Sequence, residues 1–188
     1  MKQNTYCLIS PIEERDPLFS ALYSIKMKLR NHNIPHSLPR LLWHITHVTP
    51  FLATATEMEW LLLGLEIGKS LSPDGHREHL VRGVAFDFYE NKEEDAFILR
   101  LETNEEFRNI ISRTRAKVES MTDMKYPPES FQVNFHVTIA QGKGLRKSIE
   151  SCGEISTMLS KIETHLVTRL QYPSISVKRS DYWAPVVI

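Results

Sequence analysis

The chain has 188 residues, and its 23 Lys and Arg are balanced by 23 Asp and Glu. A chain of this length can bury a sizeable core, and we expect a single bilobal domain over residues 1–188. The formal net charge of zero excludes proteins that bind a long nucleic-acid duplex electrostatically through a basic stripe. It is compatible with a small phosphate ligand.

Apolar periodicity switches along the chain between the strand period of two and the helical period of about 3.6. The predicted elements, in chain order, are a strand at residues 6–12, a helix at 17–30, a strand at 41–49, a helix at 56–69, strands at 80–89 and 96–102, a helix at 103–121, a strand at 131–140, a helix at 148–166, and strands at 167–170, 174–178 and 182–187. Strands and helices are intermixed, and a short acidic loop joins the third and fourth strands as a hairpin. We therefore predict an α+β fold of mainly antiparallel sheet with flanking helices.

Three predicted helices begin with residues that cap helices well. Asp16 precedes a proline, and proline suits the first helical position because its φ angle is already helical. The pairs Thr56/Glu59 and Thr103/Glu106 have the spacing of a capping box, in which each residue accepts a backbone N–H of the other.

The cysteines and the N-terminal segment indicate the cellular compartment in which we expect the protein. Cys7 and Cys152 are far apart and lack the spacing of metal ligands, which predicts reduced, mostly buried thiols. The apolar run at residues 6–12 is too short for a signal peptide or a membrane span. We expect a cytoplasmic monomer that does not contact a membrane.

The strand at residues 131–140 alternates throughout between apolar and polar side chains. Its apolar side predicts a core-facing surface. The other side carries only short hydrogen-bonding groups, which is typical of a cleft wall rather than a solvated surface. Those groups belong to Gln132, Asn134, His136 and Thr138.

Trp-His-Ile-Thr at residues 43–46 repeats Phe-His-Val-Thr at residues 135–138. In both copies the histidine and threonine share one strand face and the apolar pair takes the other. An overlapping His-x-Thr begins at His47, but alternation places His47 and Thr49 on the core side. The repeat therefore pairs residues 43–46 with 135–138, and it predicts two similar lobes that face each other across a groove.

Two imidazoles that face one groove can act as a base and an acid, because the pKa of histidine suits both roles near neutral pH. Two hydroxyl groups beside them can donate hydrogen bonds to a phosphate. We therefore predict that His44 and His136 are catalytic and that Thr46 and Thr138 bind substrate. These groups suffice for cleavage of a phosphodiester without a metal or another cofactor. The alternative is that both histidines are structural.

A metal site is a weaker prediction. Asp74, His76 and His79 lie close in sequence, but their Pro-Asp-Gly setting favours a solvated loop. His44 and His47 point to opposite faces of a strand, so they do not form a pair of ligands.

Two further segments carry a functional and a structural interpretation. The Gly-Lys-Gly at residues 142–144 is too short for a phosphate-binding glycine motif, and a flexible turn is favoured. Tyr182 and Trp183 could stack on a base, although aromatic residues in a C-terminal strand are more often part of the core.

Residues 44–51 (His-Ile-Thr-His-Val-Thr-Pro-Phe) and 135–140 (Phe-His-Val-Thr-Ile-Ala) resemble the two His-x-Thr motifs of the two-histidine phosphoesterase superfamily. Its bacterial members include the RNA 2′,3′-cyclic phosphodiesterases, also called 2′-5′ RNA ligases. Residues 177–183 are similar, more weakly, to the closing strand of the family.

The resemblance implies a bilobal α+β fold whose groove holds the four motif residues and acts without metal on cyclic or 2′-5′ phosphodiesters. The implied partner is an RNA 3′ end or a small nucleotide. Many relatives have a basic residue where this chain has Gln141, and Lys143, Arg146 or Lys147 could replace it. The missing charge leaves open a second possibility, a non-catalytic module with the same fold that binds RNA ends or nucleotides.

Overall fold

The computed structural model describes residues 3–12, 14–36, 43–61, 79–90, 94–126, 135–161, 167–170, 174–179 and 182–185. The strands are β1 (Asn4–Pro11), β2 (His44–Ala53), β3 (His79–Glu90), β4 (Asp95–Thr103), β5 (Phe135–Gly142), β6 (Val167–Leu170), β7 (Ser174–Arg179) and β8 (Tyr182–Pro185). The helices are α1 (Pro17–Asn31), α2 (described over residues 55–61), α3 (Glu105–Met121), α4 (Leu145–Ser151) and α5 (Gly153–Lys161). The predicted segments 62–69, 131–134 and 162–166 lie outside the described residues.

The eight strands form one sheet in the order β6-β3-β4-β5-β2-β1-β7-β8, and neighbouring strands pair antiparallel. The two motif strands, β2 and β5, meet at its centre, where Ile45 lies opposite Val137. Three further strands lie between each motif strand and the nearer edge of the sheet. The sheet therefore has two halves of four strands each, which correspond to the two predicted lobes. The prediction of an α+β fold with antiparallel pairing is confirmed.

The helices pack on one face of this sheet. Ile45 and Val137 belong to a core cluster that includes buried side chains of α1, α3, α4 and α5. The apolar face predicted for α1 is fully buried in this cluster and consists of Leu18, Leu22, Ile25 and Leu29. Burial of this face against the sheet stabilises α1 more than the intrinsic propensity of its residues does. None of the described helices is long and apolar enough to span a membrane.

The helix starts confirm one predicted cap and correct two. Asp16 caps α1, and its Oδ1 accepts the N–H of Leu18 at 2.7 Å. The capping box of α2 is formed by Thr54 and Glu57, whose carboxylate accepts the Thr54 N–H at 2.6 Å, so the predicted pair Thr56/Glu59 is wrong. Because β2 ends at Ala53, the chain turns two residues earlier than the predicted pair requires.

The cap of α3 is Asn104, whose side chain accepts the N–H of Phe107 at 2.8 Å. The predicted cap Thr103 is instead the last residue of β4, so the sheet extends to the residue before the helix. The single helix predicted from Ser148 is also wrong. The chain is helical from Leu145, and an extended Cys152 (φ −94°, ψ 95°) separates α4 from α5.

Candidate active site

The two motifs lie side by side in the sheet. Ile45 of β2 is opposite Val137 of β5, and the two strands run antiparallel. In this register, the histidine of each motif comes alongside the threonine of the other, one residue to either side of the central pair. The resulting pairs are His44 with Thr138 and His136 with Thr46. The two histidines are then diagonal neighbours across the strands, for which Cβ atoms are about 7–8 Å apart, so both imidazoles can reach a group held between them.

The four motif side chains lie on the sheet face opposite the helices, which we call the histidine face. Ile45 and Val137 between them point to the helices and are fully buried. The four polar side chains of the motifs are half-buried, and alternation along each strand directs them away from the core. The structure therefore brings His44, Thr46, His136 and Thr138 together.

A β-bulge directly follows the first motif. Thr46 is opposite Ile9 of β1 and Val48 is opposite Leu8, so His47 is an extra residue on β2. A bulge bends its strand and redirects the neighbouring side chains, and bulges occur often beside active sites.

The second motif ends in the same feature. Thr138 is opposite Ile98 of β4 and Ala140 is opposite Phe97, so Ile139 is an extra residue on β5. Each copy of His-x-Thr is thus followed at once by a bulge on the side of its outer neighbour. The local similarity of the two copies extends beyond the repeated residues to the backbone that holds them.

His47 is a core residue, as alternation predicted. It is fully buried, and its Nε2 lies 2.6 Å from the hydroxyl oxygen of Ser10. Its ring stands edge to face against Phe107 and Phe135, with centroid distances of 5.4 and 6.0 Å. Thr49, the companion residue, is exposed, but its side chain forms a hydrogen bond with Tyr126 of the core on the helix side.

The neighbouring strands β4 and β3 add three side chains near His136 that the sequence analysis did not identify. Arg100 is directly opposite His136, so both side chains lie on the histidine face. The Asp87 carboxylate forms an ion pair with Arg100 at 3.3 Å. The ring of Tyr89 stands edge to face against the His136 imidazole at 5.0 Å. Alternation within β3 and β4 places such residues on one face, but only the strand order shows that this face adjoins β5.

Three nearby basic residues were expected to replace the positive charge that Gln141 lacks. One of them, Arg146, lies on the opposite side of the sheet from Gln141. Gln141 is half-buried and opposite Ala96, on the histidine face. The Arg146 guanidinium lies over the ring of Phe88 at 5.7 Å and bonds to Glu150 at 2.8 Å. Phe88 packs against the helix-side core, so the expectation for Arg146 is wrong. Two further candidates, Lys143 and Lys147, are exposed.

Cys7 lies on β1, two residues before Ile9, which is opposite Thr46. Its burial raises the pKa of the thiol to about 11. The thiol is therefore protonated at neutral pH and is a poor nucleophile. Both Cys7 and Cys152 are free.

Gly142 is the last residue of β5, and Lys143 and Gly144 form the predicted turn. Gly144 has φ 68° and precedes the first residue of α4, a conformation that favours glycine because it has no Cβ. A Cβ at Gly142 would lie 2.9 Å from the carbonyl oxygen of Pro35, so the close approach of two chain segments also requires glycine there.

Two sequence candidates fall wholly or partly outside the described residues. His79 begins β3, opposite Leu170, whereas Asp74 and His76 are not described, and the predicted loop cannot be placed. Trp183 pairs with Lys178 through the backbone of the β7–β8 hairpin. The side chains of Tyr182 and Trp183 are outside the described part of the chain.

No protein-family model and no curated protein matches this chain. Among solved structures, Usb1 from Kluyveromyces marxianus superposes with a TM-score of 0.58 at 13% sequence identity and covers 98% of both chains. This chain has the Usb1 fold. A second structure, of the same Usb1 with uridine monophosphate, gives a TM-score of 0.57 at 12% identity and covers 98% of this chain and 99% of that one.

This likeness over the whole chain agrees with the predicted α+β fold of mainly antiparallel sheet. At 12–13% identity, likeness to Usb1 extends to the fold alone. It does not assign the chain to the bacterial cyclic phosphodiesterases or ligases.

Proposed function

We propose that this chain is a metal-independent phosphodiesterase that hydrolyses 2′,3′-cyclic phosphates, at RNA ends or in small cyclic nucleotides. The observation that carries the proposal is the antiparallel pairing of the two motifs, with Ile45 opposite Val137. This pairing sets each histidine beside the threonine of the other strand. The Usb1 structure with uridine monophosphate supports a nucleotide as the ligand of this fold.

The proposed reaction adds one water to the cyclic diester. One imidazole takes a proton from the water as its oxygen attacks phosphorus, and the bond from phosphorus to one ribose oxygen breaks. The other imidazole donates a proton to that leaving oxygen, which gives a ribose hydroxyl and a phosphomonoester. Thr46 and Thr138 donate hydrogen bonds to the non-bridging phosphate oxygens, where negative charge develops in the transition state. The two motifs are alike, so either His44 or His136 can be the base, depending on how the substrate binds.

The direct test is a panel of the four nucleoside 2′,3′-cyclic phosphates and short RNAs with cyclic ends, with products identified by phosphorus NMR. We expect conversion of the cyclic phosphate signal to that of a 2′- or 3′-phosphomonoester. Absence of turnover on the whole panel, at concentrations where binding is measured, would favour the second candidate.

The second candidate is a non-catalytic module that binds RNA ends or nucleotides in the same groove. It is favoured by one observation, the uncharged Gln141 on the histidine face, because a phosphate transition state gains from a nearby cation. This candidate predicts that cyclic and linear nucleotides bind and are recovered unchanged.

Chelation separates the proposed mechanism from metal-assisted hydrolysis. Because the two imidazoles supply both proton transfers, turnover after exhaustive EDTA treatment should remain within about twofold of the untreated rate. The measurement is the initial rate before and after treatment, with added zinc or manganese as the comparison. Complete loss of activity that either metal restores would contradict the mechanism.

Tyr89 provides a prediction about the base of the substrate. Its side chain is 46% exposed while its ring contacts His136, so it offers a stacking surface beside the phosphate position. Stacking on an aromatic ring is worth about 1–3 kcal/mol per base. Tyr89→Leu should therefore raise KM for a cyclic nucleotide by roughly 5- to 150-fold, whereas Tyr89→Phe should keep it near the original value.

Ribose 2′,3′-cyclic phosphate, which has no base, is the matched control substrate for Tyr89→Leu. Its KM should hardly change. An equal rise for both substrates would show that Tyr89 acts by orienting His136 rather than by binding a base.

A further inference from the structure

We propose that Arg100 is the phosphate-binding cation of this site and supplies the charge that Gln141 does not. The inference rests on the proposed function for the identity of the ligand, a nucleotide phosphate. It assigns to the site a residue that lies on β4, a strand without a His-x-Thr motif.

The first argument is the position of Arg100 in the sheet. Arg100 and His136 are directly opposite each other across β4 and β5, so their Cβ atoms are about 4.5–5.5 Å apart on the same face. An arginine side chain is long enough to reach any group that the neighbouring imidazole contacts. Arg146, by comparison, lies on the helix side of the sheet.

The second argument is the way in which Arg100 is held. Asp87 accepts the N–H of Phe88 through Oδ1 at 2.8 Å, which fixes the carboxylate against its own backbone. The other oxygen of Asp87 is 3.3 Å from a terminal nitrogen of Arg100. A guanidinium has five N–H donors, so this contact orients the group and leaves other donors for a phosphate.

The third argument is the chemistry and exposure of the pair. The side chains of Arg100 and Asp87 are 58% and 48% exposed, and an exposed ion pair of this kind is weak. A phosphate can therefore engage the guanidinium without having to break a strong contact. The planar guanidinium donates two parallel hydrogen bonds to phosphate oxygens, and less side-chain freedom is lost per bond than with lysine.

Arg82 provides a matched control. It forms an ion pair with Glu102 at 2.8 Å, with exposures of 50% and 52%, and this pair joins the same two strands. Glu102 is two residues after Arg100 on β4, which places it about 7 Å farther from His136 along the strand. Arg82 therefore has the same charge as Arg100 and a similar ion pair, but it lies farther from His136.

The experiment compares wild type, Arg100→Gln and Arg82→Gln in two assays: titration with uridine monophosphate, and turnover of a 2′,3′-cyclic nucleotide. A hydrogen bond to a charged group corresponds to roughly a 10- to 100-fold change in affinity. Arg100→Gln should therefore raise Kd for uridine monophosphate and KM for the cyclic substrate by about that factor. Arg82→Gln should change neither by more than about twofold, and Arg100→Lys should recover part of the loss.

The two assays keep this inference separate from the proposed function. If wild type hydrolyses the substrate and Arg100→Gln behaves like Arg82→Gln in both assays, the inference is wrong and the proposed function stands. If wild type binds uridine monophosphate without turnover and Arg100→Gln loses the binding, the inference stands and the proposed function falls. If wild type neither binds nor turns over, both are wrong. The exposure of Arg100 means that the variants should fold, which thermal melting verifies.

Discussion

Replacing either His44 or His136 by alanine should lower turnover of a 2′,3′-cyclic nucleotide by roughly 10²- to 10⁴-fold, the usual contribution of a positioned acid or base. Each histidine lies alongside the other motif's threonine at the centre of the sheet, so each variant removes one of the two proton transfers. The measurement is kcat for each purified variant. A good substrate on which either variant keeps a near-normal rate would rule out the paired mechanism.

The double variant and the pH profile sharpen this test. Groups that act as a unit are not additive, so the loss in the double variant should be far smaller than the product of the two single losses. One imidazole must be neutral and the other protonated, so kcat should follow a bell-shaped dependence on pH, and each single variant should lose one limb of it. Thr46→Ala and Thr138→Ala should be milder, because each removes only one hydrogen bond to phosphate.

His32→Ala is the control for these variants. His32 follows the last turn of α1, and its ring nitrogen lies 3.2 Å from the Glu154 carboxylate of α5, on the helix side of the sheet. Its removal should leave kcat unchanged. All of the motif variants should stay folded, because their side chains are half-buried on the histidine face rather than packed in the core.

His47→Ala should have the largest effect on stability, with a loss of about 2–5 kcal/mol in the free energy of unfolding. The change leaves a cavity against Phe107 and Phe135 and removes the bond to Ser10. For a chain of this size, each kcal/mol lowers Tm by about 2–4 °C, so Tm should fall by roughly 4–20 °C. Differential scanning calorimetry measures the shift.

The same His32→Ala variant is the stability control, since a single contact with the exposed Glu154 carboxylate contributes at most about 1 kcal/mol. Below its lowered melting temperature, His47→Ala should retain far more turnover than His44→Ala. A His47→Ala protein that melts like wild type but has no activity would show that His47, not His44, is the histidine of the first motif.

Much of the fold was predictable because it depends on local periodicity. The apolar spacing of α1 predicted its buried face, and the alternation at residues 135–140 predicted β5. The repeat of residues 43–46 in 135–138 predicted that the two strands are equivalent. Side chains repeat every two residues in a strand and about every 3.6 in a helix, so their faces follow from the order of residues alone.

Helix starts were less predictable, because several residues near each start can serve as the cap. Thr54 and Asn104 were selected over Thr56 and Thr103 by where β2 and β4 end. That end point depends on pairing with distant strands, and the local sequence does not contain it.

The sequence by itself determined the α+β class, the two His-x-Thr copies and the assignment of His47 to the core, since each depends on alternation over a few residues. Only the tertiary structure decided that β2 and β5 are adjacent, that each motif ends in a bulge, and that Arg100 and Tyr89 approach His136. Strand order and register are set when strands and helices that are distant in sequence pack their apolar faces into a shared core. The residues that surround the candidate site therefore come from strands that carry no motif of their own.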